Sequence, residues 1–296
     1  MTEEPKRLRK EDTSLHPGRD LISVIVTTYN REDALAAVLR GLARQTDRAF
    51  EVVIADDGSR PATRQVIAGF DSRFNRLAHV WHDDRGFRAA EIRNRAILAA
   101  LGETCIFLDG DCIPRPDFVA VHRRLAEPGW FVAGNRVLLS PELTERVLRE
   151  QLEVELWSLR QWIAPRLRGE INRLAPLLSL PLGPMRHLLG AAWRSIRSAN
   201  LAVRRSDLLN VDGFDAAFSG WGREDSDLVV RLLRSGIRRK DGRFATAVLH
   251  LWHAESDRSR LLHNDRLLNE IRETNRIKAT VGLAALKQRP EDALSV

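Results

Sequence analysis

The chain has 296 residues, a formal net charge of +7 and 44% hydrophobic residues. That apolar fraction excludes wholesale disorder, and the length suits one large α/β domain or two small ones. The basic balance favours polyanionic partners (nucleotide phosphates, nucleic acid or an anionic membrane surface) without choosing among them.

Residues 1–20 are charged and lack the apolar core of a signal peptide, so they read as a mobile tail. Residues 21–27 (LISVIVT) form a continuous apolar, β-branched run, the pattern of a strand buried on both faces. Tyr29 and Asn30 follow, then a helical repeat with Leu35, Val38, Leu39 and Leu42 at i, i+3, i+4 and i+7. Residues 51–55 are a second strand, closed by Asp56-Asp57-Gly58-Ser59, and Pro61 suits the start of a helix. Residues 77–81 read as a third strand, 89–101 as a helix stopped by Gly102, and 104–108 as a fourth strand running into Asp109-Gly110-Asp111. The alternation implies a mostly parallel sheet with helices on both faces, and ligands in such sheets bind at the carboxyl ends of the strands. Both acidic clusters stand at such ends. Cys105 and Cys112 lie too near each other for an ordinary disulfide framework, which favours a reduced, cytoplasmic setting.

Beyond residue 115 the order changes. Residues 130–134 suggest another strand, and Ser140-Pro141 caps a helix expected to reach about residue 160. Residues 157–197 carry Trp157, Trp162 and Trp193 among Arg160, Arg166, Arg168, Arg173, Arg186, Arg194 and Arg197, with Glu170 the single acid. That mixture suits either an interfacial helix on an anionic membrane or an acceptor-side subdomain with solvated arginines. From Asn200 come a short strand, a turn at Asp212-Gly213-Phe214, and the run Gly220-Trp221-Gly222-Arg223-Glu224-Asp225-Ser226-Asp227 leading into a helix that Gly236 ends. A last strand is expected over 244–249, before His250 and His253, and a charged helix over about 257–281. No apolar run approaches the roughly 20 residues needed to span a bilayer.

Five groups could carry chemistry. Asp109 and Asp111, separated by one glycine after a buried strand, can point into one cleft and bind a hard cation together with substrate phosphates; otherwise they make a polar turn. Asp56 and Asp57 could accept from a nucleobase or ribose, or simply cap a helix. Arg88 and Arg93, in the run that ends at Asn94, could neutralise a diphosphate or form a solvated basic face. Glu224 and Asp225 offer a general base beside Trp221, on whose flat face a sugar can stack, with Gly222 allowing close approach; the alternative is an acidic helix start. His250 or His253 could complete a metal site.

Together these residues resemble the inverting glycosyltransferases of the GT-A fold, family 2. The match rests on Ser23 to Arg31 (SVIVTTYNR), Asp56-Asp57-Gly58-Ser59, Arg93-Asn94 and Asp109-Gly110-Asp111, in the family's order. The segment from Asn200 through Gly-Trp-Gly-Arg-Glu-Asp resembles the carboxyl half of β-1,4-galactosyltransferase-like enzymes. The resemblance implies a nucleotide-sugar donor (UDP-linked as first choice) held by Thr27, Tyr29, Asn30, Asp56, Asp57, Arg88, Arg93, Asn94, Asp109 and Asp111. It implies Mn²⁺ or Mg²⁺ on Asp109, Asp111 and His253 (or His250), with Asp225 as the base. Trp221, Gly222 and Glu224 would hold a glycan or glycolipid acceptor. Ser226 departs from the galactosyltransferase-like pattern, which tends to have an acid there. The expected organisation is a tail (1–20), a nucleotide-sugar-binding half (21–115), an acceptor-binding and catalytic half (116–255) with a helical insertion at about 141–198, and a C-terminal helical tail (256–296). The expected setting is cytoplasmic or peripheral on the inner membrane face, in bacterial surface-polysaccharide or lipopolysaccharide synthesis. Two rivals are a metal-dependent nucleotidyltransferase and a basic nucleic-acid-binding protein; no nucleic-acid-binding module is recognisable, so nucleic acid is not an expected partner.

Overall fold

The computed structural model describes residues 21–288 apart from 189, 191, 192, 194, 195 and 256. The expected N-terminal tail, the last residues of the C-terminal one and Arg194 lie outside the described residues.

The first half alternates as the apolar runs require: β1 (Ile22–Thr28), α1 (Glu32–Ala43), β2 (Phe50–Asp56), α2 (Pro61–Ala68), β3 (Leu77–Trp81), α3 (Ala89–Ala99) and β4 (Thr104–Asp109). The second half adds β5 (Cys112–Pro114), α4 (Phe118–Leu125), β6 (Trp130–Ala133), β7 (Arg136–Leu138), α5 (Pro141–Arg149) and α6 (Leu159–Leu167). It closes with β8 (Asn200–Arg204), α7 (Arg205–Asn210), α8 (Glu224–Arg234), β9 (Arg238–Asp241), β10 (Val248–His250), α9 (Leu261–Glu273) and α10 (Leu283–Lys287).

The main sheet has the order β3-β2-β1-β4-β8-β6-β9, and a small sheet has the order β5-β10-β7. β1 pairs in parallel with both β2 and β4, so the connections diverge on either side of it and leave a crevice at the ends of β1 and β4. β8 runs antiparallel to β4 and β6, which makes the sheet mixed. Period-two alternation divides the core: Ile22, Val24 and Val26 pack beneath α1 and α4, while Ile25, Val53 and Phe107 face α3 and α8. Each fully buried aliphatic of this kind contributes about 1.5–3 kcal/mol, which is why the unbroken run of β1 forms a central strand. Both cysteines are buried thiols.

Three expectations are corrected. The helix from Pro141 does not reach 160: Gln151 takes a left-handed φ of 51° and the Leu152 N–H bonds to the Val147 carbonyl, closing α5 before α6 begins. The strand expected over 244–249 is shorter, because Phe244 has φ 57°; only Val248–His250 pairs, and the charged segment Arg238–Asp241 forms the sheet edge instead. The closing helix stops at Glu273, after which the chain returns to Asp215, whose carboxylate accepts from the N–H groups of Thr280 and Val281.

Candidate active site

Asp109 ends β4 and Asp111 follows one residue later. Gly110 is required between them: its N–H donates to the Thr27 carbonyl at 2.7 Å, and a Cβ there would stand 2.9 Å from that oxygen. The close approach turns the chain so that Asp111 meets the small sheet. His250 Nε2 lies 3.5 Å from one Asp111 oxygen and His253 Nε2 3.5 Å from the other. The ligand atoms of Asp111, His250 and His253 all fall within 4.8 Å of one another. His253 Nδ1 is 2.7 Å from the Ala254 carbonyl; a proton held there leaves the Nε2 lone pair facing Asp111. Burial raises the Asp111 pKa, partly opposed by His250. Burial likewise lowers that of His250. One carboxylate and two imidazoles converging in this way fit a divalent cation, and both histidines reach it where the sequence asked for one. Asp109 belongs to a second grouping with Asp111 and Cys112. Burial pushes the Cys112 thiol well up, and a hard cation such as Mg²⁺ or Mn²⁺ prefers oxygen ligands to sulfur.

The start of α8 lines the same hollow. Gly220 and Gly222 have φ of 75° and 101°, and Arg223 itself is left-handed at 81°, so the loop turns sharply into the helix. Glu224 and Asp225 are both buried in the first turn, where the helix dipole favours carboxylates. Burial raises the Glu224 pKa, with the Asp225 charge adding to it and Arg93 opposing both. Trp221 is 36% exposed, with Arg258 stacked 5.0 Å from its ring centre. A cavity of ≈ 640 Å³ is lined by Thr27, Tyr29, Asp57, Asp109, Asp111 and His253 together with Trp221, Gly222, Glu224 and Asp225.

The remaining expected residues divide. Asp57 reaches the cavity, its carboxylate held by His82 Nε2 at 2.7 Å and by the Arg88 N–H at 2.8 Å. Asp56 does not line the cavity; it accepts from the Ser59 N–H within the turn before α2 and meets His79 Nε2 at 2.9 Å, while α2 itself has no side-chain cap. Asn30 is left-handed and accepts from the Arg60 N–H. Arg88 pairs with Glu91, and Asn94 is fully buried with both amide ends on the Phe214 backbone at 2.8 Å. Asn30, Arg88 and Asn94 therefore shape the walls without reaching the cavity. Arg93 does line it, but its guanidinium is already committed to Glu224 and Asp109. Sequence reasoning missed His79 and His82. Only the place of His79 within the third strand and of His82 just past its end, beside the strand that closes in Asp56-Asp57, could have pointed to them.

Residues 23–182 match the family model for Glycosyl transferase family 2, and residues 190–254 match the one for the N-terminal domain of galactosyltransferase. The chain belongs to glycosyl transferase family 2. A validoxylamine A glucosyltransferase of Streptomyces hygroscopicus subsp. limoneus is 33% identical over 226 residues, covering 73% of this chain and 49% of that protein. A chondroitin synthase of Escherichia coli is 26% identical over 257 residues, 77% of this chain and 35% of that one. The chain thus spans about half or less of these relatives. Among solved structures, a mannosyltransferase from Pyrobaculum calidifontis in complex with GDP-Man and Mn²⁺ shares the fold at TM-score 0.54 and 17% identity, covering 94% of this chain and 77% of that one. Staphylococcus aureus TarS 1-349 with UDP-GlcNAc does so at TM-score 0.54 and 18% identity, covering 90% and 69%. The mixed, mainly parallel sheet is that of the GT-A transferases.

Proposed function

We propose that this family 2 member is an inverting glycosyltransferase that moves a hexosyl or N-acetylhexosaminyl group from a nucleoside-diphosphate donor to a hydroxyl of a glycan or glycolipid. The observation that carries the reading is that Asp111, His253, Trp221 and Asp225 all line one cavity. Asp57, at the end of the nucleoside side, offers carboxylate lone pairs to a base. Asp111, His250 and His253 would hold Mn²⁺ or Mg²⁺. Such a cation supplies charge to offset the departing diphosphate.

The acceptor sugar stacks on Trp221 and lies against Glu224. Asp225 takes the acceptor hydroxyl's proton as its oxygen bonds to the anomeric carbon. The bond from that carbon to the phosphate oxygen breaks on the opposite face, its electron pair remaining on the phosphate. One displacement inverts the configuration, so an α-linked donor yields a β-linked product. Structural relatives bind GDP-Man and UDP-GlcNAc, so uridine is our first choice of base and guanosine the second. Bacterial polysaccharide or lipopolysaccharide synthesis is the context we favour, in keeping with the chondroitin synthase relative. The deciding experiment is a screen of UDP- and GDP-sugars for thermal stabilisation and Mn²⁺-dependent release of the nucleoside diphosphate. No stabilisation and no release with any donor would remove the reading, whereas pyrophosphate release would favour a nucleotidyltransferase.

We further infer that an anionic membrane brings the acceptor. Trp157 and Trp162 pack on each other with ring centres 4.9 Å apart, and Trp193 is half-buried against the core, so no aromatic belt forms. Instead α6 exposes Leu159, Ile163 and Leu167 at i, i+4 and i+8, and Arg160 and Arg166 form no ion pair among the described residues. Residues 157–169 contain no acid. A hydrophobic stripe flanked by unpaired cations complements an anionic lipid surface. Among the described residues no helix is long and apolar enough to cross a membrane. Cosedimentation with phosphatidylglycerol vesicles should be strong at low salt and weaken at high salt; no binding at low salt overturns the idea.

A further inference from the structure

Six arginines line the cavity: Arg31, Arg93, Arg136, Arg197, Arg223 and Arg258. Five are engaged. Arg93 holds Glu224 and Asp109, Arg31 pairs with Asp33, and Arg223 with Asp265. Arg258 pairs with Glu255 and covers Trp221, and Arg197 donates to the Ile196 carbonyl. The Arg136 guanidinium forms no ion pair and no hydrogen bond with any described residue; only its backbone carbonyl is used, by Arg173. A half-buried guanidinium has given up part of its hydration, and with no acid beside it that cost is offset only when an anion arrives.

The placement indicates which anion. On β7 the side chains of Arg136 and Leu138 share one face, and Val137 points to the core. The β7–β10 register sets Arg136 opposite Val248 and Leu138 opposite His250. Arg136 therefore stands on the face of the small sheet that carries His250, at the metal-ligand end of the cavity. Trp221 and Asp225 belong to the α8 end.

We propose that Arg136 receives the donor's diphosphate and stabilises it as the leaving group. The proposal rests on the glycosyl-transfer reading above. As the bond from the anomeric carbon to the phosphate oxygen breaks, its electron pair and the new negative charge settle on that phosphate. The guanidinium donates N–H bonds to it without losing a proton. Because the charge grows along the reaction, the interaction strengthens toward the transition state.

The test uses isothermal titration of UDP, GDP, uridine and guanosine, with Mn²⁺ present, into the wild-type chain, Arg136→Gln and Arg136→Lys. We expect Arg136→Gln to weaken binding of the preferred nucleoside diphosphate about tenfold or more, the cost of one charge-assisted contact. The matching nucleoside should bind unchanged, and Arg136→Lys should recover part of the loss. Unaltered melting temperature and unaltered Mn²⁺ affinity without nucleotide should show that fold and metal cluster are intact. Unchanged diphosphate affinity in Arg136→Gln, with a raised KM for an acidic acceptor, moves the residue to the acceptor side and overturns the assignment. Unchanged affinity with no other effect overturns it as well. A wild-type chain that binds neither UDP nor GDP overturns the transfer reading and this proposal with it.

Discussion

Arg93 Nη1 lies 3.0 Å from Glu224 Oε1, and the same guanidinium reaches Asp109 with Nη2 at 3.4 Å and Thr27 with Nε at 3.1 Å. One buried cation thus ties the ends of β1 and β4 to the helix that presents the proposed base. Burial opposes its charge, but Glu224 and Asp109 more than restore it, so its pKa is raised. Replacing Arg93 by Met strands Glu224 without its counter-charge. Breaking such a pair costs about 3 kcal/mol or more. Urea unfolding should show that loss, and turnover should fall while the folded fraction still binds nucleoside diphosphate. Wild-type stability in Arg93→Met would show that the pair holds nothing together.

Asp225→Asn should leave donor binding within a factor of a few and lower transfer about 10²–10⁴-fold, the usual contribution of a general base. Glu224→Gln should act mainly on acceptor KM, because Glu224 is held by Arg93. Steady-state kinetics with a separate measurement of donor affinity distinguishes these outcomes. Near wild-type turnover by Asp225→Asn would remove Asp225 from the mechanism.

Chelation by EDTA should abolish transfer, and Mn²⁺ should restore it. Asp111→Asn, His250→Ala and His253→Ala should each weaken Mn²⁺ binding by about tenfold or more, at least what the loss of an outer-shell partner costs. Electron paramagnetic resonance of free Mn²⁺ reads this directly. A normal affinity in His250→Ala would reduce the histidine ligands to His253, and the reverse result would leave His250.

His122 is buried, with Nε2 3.1 Å from the Asn200 side-chain oxygen, and burial lowers its pKa to about 4. An unfolded histidine takes up its proton near pH 6.5. Between those values the unfolded chain binds more protons than the folded one, so stability falls as the pH drops from about 6.5 to about 4. At about 1.4 kcal/mol per pH unit, the loss is about 3 kcal/mol. Urea titrations at pH 7 and pH 4.5 should show a shallower pH dependence in His122→Gln than in wild type. Identical dependence in the two proteins would mean that His122 is charged in the fold.

The sequence by itself determined the sheet of the first half and the sites at its strand ends. Buried parallel strands must be written as unbroken apolar runs, and a chain leaving such a strand delivers its next polar residues to the ligand edge. Asp57, Asp109 and Asp111 could be placed beside the cavity for that reason, whereas Trp221 and Asp225 stood out through the Gly-Trp-Gly-Arg-Glu-Asp run at a helix start. Tertiary structure alone decided what each charge does. Strands of three residues such as β5, β7 and β10 are too short to show a period, yet their pairing brings His250 to Asp111 and sets Arg136 on the same sheet face as His250. Arg88 and Arg93 look alike along the chain, but contacts with Glu91 and with Glu224 fix one to its own helix and the other across 131 residues. Charge is written locally, whereas the partner that neutralises it is chosen by packing between segments far apart in sequence.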